Sequence, residues 1–86
     1  MITKKVKINS PDGLHMKPAH ELVKVAQKFQ SKIILNKDGT KVEGKSILSV
    51  LALAAGIGQE LELIADGPDE NEAIEALVIL FNHDFK

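Results

Sequence analysis

Apolar and polar residues alternate in several short segments of this chain. In the first segment, Ile2, Val6 and Ile8 are interleaved mainly with lysines. Such alternation is typical of strands that bury one face. The predicted strands are residues 2–8, 32–36, 40–43 and 60–65. An Asp38-Gly39 pair between the second and third segments is a hairpin signal, so we expect these two strands to be neighbours.

The remaining apolar residues recur at helical spacing. Residues 16–29 form the first such segment. A short helix over residues 47–53 is predicted to begin after Ser46, a favourable N-cap residue, and to be closed by Gly56 or Gly58. The last helix is expected after Asp69, whose spacing to Glu72 is that of a capping box. Its apolar positions are Ala73, Ile74, Leu77, Leu80 and Phe81.

The predicted element order is strand, helix, strand, strand, helix, strand, helix (βαββαβα). No repeat, linker or low-complexity segment interrupts it. Four short strands and three helices predict an α+β fold, a two-layer sandwich in which all three helices pack on one face of a single sheet. We therefore expect one domain over residues 1–86.

The amino-acid composition argues against several classes of function. The chain has no cysteine, which excludes disulfides and thiolate metal sites and suits a reducing cytoplasm. It also has no arginine, and its only aromatic residues are three phenylalanines, which argues against nucleic-acid binding. The longest apolar stretch, residues 50–57, is too short to span a bilayer, and the first ten residues do not resemble a signal peptide. We expect a cytoplasmic protein without membrane insertion.

The charges are unevenly distributed along the chain. Residues 1–45 contain ten lysines and four acids, whereas residues 46–86 contain one lysine and eight acids. Two interpretations remain open: a solvated face, or a lysine-bearing surface that meets an acidic partner.

The segment from Gly13 to Ala19 contains the strongest candidate for chemistry. It places His15 where the first helix begins, and Pro18 fits the opening turn because its missing N–H has no helical acceptor there. Free amides and the positive end of the helix dipole bind phosphate, and the same field keeps imidazole neutral and nucleophilic. Lys17 adds a cation. The alternative is that His15 is an ordinary exposed residue near a helix start.

Two separated motifs resemble those of the HPr family, the histidine phosphocarriers of the bacterial phosphoenolpyruvate:sugar phosphotransferase system. They are Gly-Leu-His-x-Lys-Pro-Ala at residues 13–19 and Gly-Lys-Ser-Ile-Leu at residues 44–48. The similarity extends over nearly the whole chain and includes the helix start at residues 69–73. It implies an open-faced β-sandwich with a four-stranded antiparallel sheet. It also implies that enzyme I phosphorylates His15 at Nδ1 and that IIA units of sugar permeases receive the group.

This chain departs from the family around the histidine. Lys17 stands where the family generally has arginine, which keeps the charge but loses the planar fork that grips phosphate. Met16 and His20 are larger than the residues usual there. We interpret both as rim residues of a docking surface, because His20 is five residues from His15 and unsuited to a metal pair. His83 is expected on the surface in the last turn of the final helix. No cofactor and no metal are expected.

Ser46 has a structural and a regulatory interpretation. As an N-cap it would start the second helix. The resemblance adds that a dedicated serine kinase/phosphorylase modifies this residue in many relatives. A phosphate there would add a charge of about −1.5 to −2, which a helix start tolerates.

The second helix has almost no polar face. A helix of this kind must either wedge into the core or expose apolar residues as an interface. We expect Ile47, Leu48 and Leu51 to be docking contacts for the partner proteins. Their small area suits a monomer that exchanges partners quickly.

Three functional hypotheses therefore remain. The first is the sugar-system carrier, which the stretch from Lys45 to Leu48 favours. The second is the nitrogen-type regulatory phosphocarrier of the same fold. The third is a non-catalytic α+β binding module in which His15 is incidental. An autonomous enzyme is least favoured, because a lone histidine at a helix end has no substrate pocket. A covalent relay, whose partners complete the catalytic site, fits better.

Overall fold

The computed structural model describes residues 1–9, 11–53 and 55–83. Within these ranges the elements follow the predicted βαββαβα order. They are β1 (Ile2–Lys7), α1 (Met16–Ala26), β2 (Lys32–Lys37), β3 (Thr40–Glu43), α2 (Ile47–Ala52), β4 (Glu60–Asp66) and α3 (Glu70–Asn82). No helix in the described part of the chain is long and apolar enough to cross a membrane.

The four strands form one antiparallel sheet in the spatial order β1-β4-β2-β3. The last strand along the chain therefore lies between the first and the second. In register, Val6 lies opposite Leu61 across β1 and β4, and Leu35 lies opposite Leu63 across β2 and β4. The predicted fold class is confirmed, and the strand order adds the topology that the hydrophobic pattern left open.

One face of the sheet carries the core. The inward residues of β2 and β4 are almost completely buried, and the apolar faces of the helices cover them. Burial of apolar side chains in this layer is the main stabilising contribution, because every helix and strand contributes to a single cluster. The largest of these side chains are Ile8, Leu22, Ile33, Leu35, Leu61, Leu63, Leu77 and Phe81.

The opposite face of the sheet explains part of the uneven charge distribution. Lys5 lies opposite Glu62 and Lys7 opposite Glu60 across β1 and β4, and Lys32 lies opposite Asp66 across β2 and β4. Directly opposite residues on one face are close enough to interact favourably. Several lysines of the first half of the chain thus have acidic neighbours within the molecule.

Helix α1 ends at Ala26, three residues before the predicted end at Phe29. The amides of Lys28 and Phe29 donate to the carbonyls of Val25 and Ala26, three residues back, which tightens the chain into a turn. Phe29 is half-buried against the core. The helical spacing correctly predicted that Phe29 packs on the core, but it placed the end of the helix three residues too late. The tight turn after Ala26 still directs the Phe29 side chain towards the core.

The capping box expected from Asp69 and Glu72 is absent, because the Asp69 side chain makes no hydrogen bond to its own helix. Instead, the Asp69 carboxylate accepts hydrogen bonds from the amides of Gln30 and Ser31, both at 2.9 Å, and from the Ser31 hydroxyl. Ser31 is buried, so this carboxylate satisfies its polar atoms. Asp69 therefore ties the start of α3 to the loop between α1 and β2.

Hydrogen bonds lower the pKa of Asp69 below its usual 3.8, the Ser31 hydroxyl contributing most. A carboxyl whose pKa is lower in the folded chain stabilises the fold above the unfolded value, and this contribution disappears as pH falls through the folded value. We expect Asp69→Asn to unfold at a lower temperature at neutral pH. The difference from the parent should narrow below about pH 4, as measured by thermal melts across pH.

Glu72→Gln is the matched control, because it removes an exposed carboxylate from the same helix turn. Its melting temperature should stay close to that of the parent. A loss for Asp69→Asn that is equally large at pH 3 and pH 7 would contradict the role of the charged form.

Candidate functional site

His15 is the N-cap residue of α1. Its backbone is extended, with φ −80° and ψ −169°, and its carbonyl accepts the first helical hydrogen bond from the Ala19 amide at 3.0 Å. The imidazole makes no capping hydrogen bond, and 46% of the side chain is exposed. The ring is therefore held at the helix start by its backbone and remains accessible to another protein.

The first turn of α1 offers a binding environment for an anion. The amides of Met16 and Lys17 precede the first helical hydrogen bond, and Pro18, which has no N–H, occupies the next position. No acidic residue lies in this turn to neutralise the positive end of the helix dipole. An anion bound at this helix start would lie close to the amides of Met16 and Lys17, and the Lys17 side chain is exposed in the same turn.

The loop before His15 is docked on the loop that follows α2. The Leu14 amide donates to the Ala55 carbonyl at 2.9 Å, and the Leu14 side chain is buried. Gly13 has φ +67°, and a Cβ there would lie 2.4 Å from the Ala55 oxygen and 2.8 Å from Gly56 Cα. Only glycine fits this close approach, which fixes the direction in which the chain enters α1.

Asp12 is a site residue that the sequence analysis missed. Its Oδ2 atom lies 4.0 Å from Nε2 of His15, and its side chain is 82% exposed. In the sequence, Asp12 belongs to a turn between Pro11 and Gly13 and has the usual explanation of a turn residue. The available signal was its spacing of three residues from His15, which a turn can bring together.

Helices α1 and α2 contact each other and run in opposite directions. At one end, the Gln27 amide side chain donates to the Lys45 carbonyl at 3.3 Å, and Lys45 Nζ donates to the Phe29 carbonyl at 2.7 Å. At the other end, the residues after α2 hold Leu14. Ser46 therefore lies near the C-terminal end of α1, about 16 Å along the axis of an 11-residue helix from its start.

Ser46 is the N-cap of α2, as predicted, and its hydroxyl accepts a hydrogen bond from the Ser49 amide at 3.4 Å. The three apolar residues expected to dock partners differ in exposure. Leu48 is 76% exposed, whereas Ile47 and Leu51 are half-buried and pack partly on the core. Leu48 is thus the most accessible large apolar side chain of this helix.

On α1, Met16 and His20 are both exposed and lie four residues apart, which places them on one face of the helix. Met16 is 63% exposed beside the histidine. His83 lies elsewhere, as the exposed C-cap residue of α3. Among the described residues, no group of three or more histidines and acids is arranged to hold a metal ion.

His15 is thus an accessible histidine at the start of a helix. The fold is that of the histidine phosphocarriers. Residues 2–83 match the family model described as "PTS HPr component phosphorylation site". The chain therefore belongs to the HPr family, the phosphocarriers of the phosphotransferase system.

Similarity to individual proteins supports the assignment to the HPr family. Phosphocarrier protein HPr of Treponema pallidum is 44% identical over 100% of this chain and 98% of its own length. Phosphocarrier protein NPr of Escherichia coli is 37% identical, covering 93% of this chain and 90% of its own. A crystal structure of HPr from Thermoanaerobacter tengcongensis is 41% identical and superposes with a TM-score of 0.96 over 99% of this chain and 96% of its own. A dimer structure of HPr from that organism is also 41% identical. It superposes with a TM-score of 0.81 and covers 100% of this chain and 99% of its own.

Gly13→Ala should both destabilise the fold and displace His15. The new Cβ meets backbone atoms of Ala55 and Gly56, which cannot rotate away as a side chain could. Gly39→Ala is the matched control, because Gly39 also has a positive φ of +92° but nothing lies within 4 Å of its Cβ position. We expect the control to lose about 1–2 kcal/mol of unfolding free energy and Gly13→Ala to lose more.

Chemical denaturation measures both losses, and amide NMR shifts of residues 14–17 report displacement of the site. Equal losses in the two variants, with unchanged shifts in Gly13→Ala, would show that the close approach to Ala55 is unimportant.

Proposed function

We propose that this protein accepts a phosphoryl group from enzyme I on Nδ1 of His15 and passes it to IIA units of sugar permeases in the cytoplasm, without a cofactor. The observation that carries the proposal is the position of His15 as an exposed N-cap whose ring is not used to cap the helix. A nucleophile so placed is available to two partners in turn.

The helix start supplies electrostatic stabilisation for the transfer. In phosphoryl transfer, negative charge spreads over three oxygens, and pre-oriented donors that meet this charge lower the barrier. The amides of Met16 and Lys17 are fixed by the backbone, so they need little reorganisation. The Lys17 ammonium contributes as a point charge, without the bidentate geometry of an arginine.

The docking surface that we propose combines the exposed side chains of Met16 and His20 on α1 with three side chains of α2. These are the exposed Leu48 and the half-buried Ile47 and Leu51. It is supported by the exposure of Met16 and Leu48 and by the contact between the two helices. A small apolar patch of this kind favours short-lived complexes. We propose that the protein acts as a monomer, although the HPr of Thermoanaerobacter tengcongensis also has a dimer structure. Sedimentation at working concentration distinguishes the two states.

We expect His15→Ala to abolish phosphoryl uptake from phosphoenolpyruvate and enzyme I, because it removes the only proposed acceptor atom. The parent should gain one acid-labile, alkali-stable phosphoryl group, measured by intact mass. In the same assay, Lys17→Ala should slow uptake severalfold, while Lys17→Arg should preserve or increase the rate.

His20→Ala is the matched control, because it removes a neighbouring exposed histidine and should still be labelled. Labelling of His15→Ala would place the acceptor elsewhere. A parental rate in Lys17→Ala would mean that the backbone amides suffice. A parent that takes up no phosphoryl group would favour the non-catalytic binding module.

The nitrogen-type role is a second candidate, supported by the similarity to NPr over 93% of this chain. The two roles share the donor chemistry and differ in the acceptor. The phosphorylated protein should therefore be offered a sugar-permease IIA and a nitrogen-type IIA in parallel. Faster transfer to the sugar-permease unit supports the first role, and the reverse order supports the second.

We further propose that a serine kinase/phosphorylase regulates the protein through Ser46. The position is half-buried at the start of α2, next to Lys45, whose ammonium binds the Phe29 carbonyl. Because Ser46 and His15 lie at opposite ends of the helix pair, an added charge at Ser46 would act on a partner that spans both helices. It would not act on the imidazole directly.

Ser46→Asp should slow phosphoryl uptake without unfolding the domain. A carboxylate at a helix start is favoured by about 0.3–1 kcal/mol, and its proximity to the negative C-terminal end of α1 opposes this gain. We therefore expect a melting temperature close to that of the parent and a rise in KM for enzyme I at low salt. High salt should reduce the effect.

Ser46→Ala is the control, because it removes the cap without adding charge; it should lower the melting temperature slightly and leave KM unchanged. If Ser46→Asp is slow only in proportion to a loss of folded protein, Ser46 is a cap and nothing more.

A further inference from the structure

Among the residues that the structure describes, Asp12 is a charged residue in contact with the imidazole of His15, and the proposed function does not use it. Its Oδ2 atom lies 4.0 Å from Nε2, and both side chains are on the surface. In the described part of the chain, no hydrogen bond ties the Asp12 carboxylate to the backbone. The loop at residues 55–59, which packs on the histidine loop, contributes no ionisable side chain. In the sequence, the charged residues nearest to His15 are Lys17, two residues away, and Asp12, three residues away.

The position of a carboxylate decides which ring nitrogen carries the proton. A neutral imidazole has one N–H and one lone pair, and a carboxylate facing one nitrogen favours the proton there. The other nitrogen then keeps its lone pair. Here the contact joins Oδ2 of Asp12 to Nε2 at 4.0 Å, an ion-pair distance that is longer than a hydrogen bond, so the carboxylate acts through its charge, which favours the proton on Nε2 and leaves Nδ1 free for attack.

We propose that Asp12 is a positioning residue, which holds the proton of His15 on Nε2 and so presents Nδ1 to the incoming phosphoryl group. This inference rests on the proposed function, because it concerns the same histidine. It adds a residue that acts through His15 rather than on the phosphoryl group.

Asp12 would act in both steps of the transfer, the uptake and the delivery of the phosphoryl group. In uptake, the Nδ1 lone pair forms the bond to phosphorus while the bond between phosphorus and the donor breaks, and that electron pair leaves with the donor. The proton stays on Nε2, so the ring becomes cationic, and the Asp12 carboxylate stabilises this charge. In delivery, the acceptor attacks phosphorus, the Nδ1–phosphorus bond breaks, and its electron pair returns to the ring. A carboxylate beside one ring nitrogen orients imidazole and stabilises its cationic form in many catalytic sites.

The competing effect is repulsion between the Asp12 carboxylate and the phosphoryl oxygens. The two effects give opposite predictions for Asp12→Asn, a substitution of nearly equal shape without charge. If Asp12 positions the proton, the variant accepts the phosphoryl group more slowly. If repulsion dominates, the variant accepts it faster.

The experiment compares the parent, Asp12→Asn and Asp38→Asn, the last of which removes an exposed acid from a different turn. Nitrogen-15 NMR of His15, at a pH where the ring is neutral, reports the tautomer without any donor protein. Asp12→Asn should shift the ring nitrogens towards a mixture of tautomers. It should also reduce kcat for uptake about two- to fivefold, the range expected for one exposed charge pair, with little change in KM. Asp38→Asn should match the parent in every measurement.

An unchanged tautomer in Asp12→Asn, a change confined to KM, or faster uptake would each overturn the proposal. Failure of the proposed function looks different, because the parent itself would then take up no phosphoryl group while the NMR comparison could still be made.

Discussion

The pairing of β4 with both β1 and β2 is the constraint on which the rest of the structure depends. This strand joins parts of the chain that are far apart in sequence, and its inward residues Leu61, Leu63 and Ala65 are almost completely buried. Because β4 is central, the acidic second half of the chain lies against the lysines of the first half. Its two sets of hydrogen bonds also align β1 and β2 so that the helices cover a single continuous face.

The same pairing builds the site. The contact between β1 and β4 continues beyond the strands, since the Ile8 amide donates to the Gln59 carbonyl and the Gly58 amide donates to Ile8. The chain then turns, and Leu14 binds Ala55 one step further along. The loop that leads into β4 thus fixes how the chain enters α1. The position of His15 therefore depends on the hydrogen bonds of Ile8 and Leu14 to this loop.

A carrier of this design separates presentation from catalysis. His15 is accessible at the start of α1, and its ring makes no capping hydrogen bond. The contacts between α1 and α2 place Ser46 at the opposite end of the helix pair from His15.

The sequence by itself determined the order and type of the elements in the described part of the chain, the single sheet with one buried face, the cap at Ser46 and the position of His15 at the start of α1. These features depend on local spacing, on residue type or on a motif, all of which are visible along the chain. Tertiary structure alone decided the strand order and the end of α1 before Phe29. It also decided that the Asp69 carboxylate accepts hydrogen bonds from Ser31 and none from its own helix. It also decided which apolar residues of α2 remain exposed and brought Asp12 to Nε2 of His15. Each of these outcomes depends on which groups meet in space, and hydrogen bonds and close contacts between distant segments carry no periodic signal in the sequence.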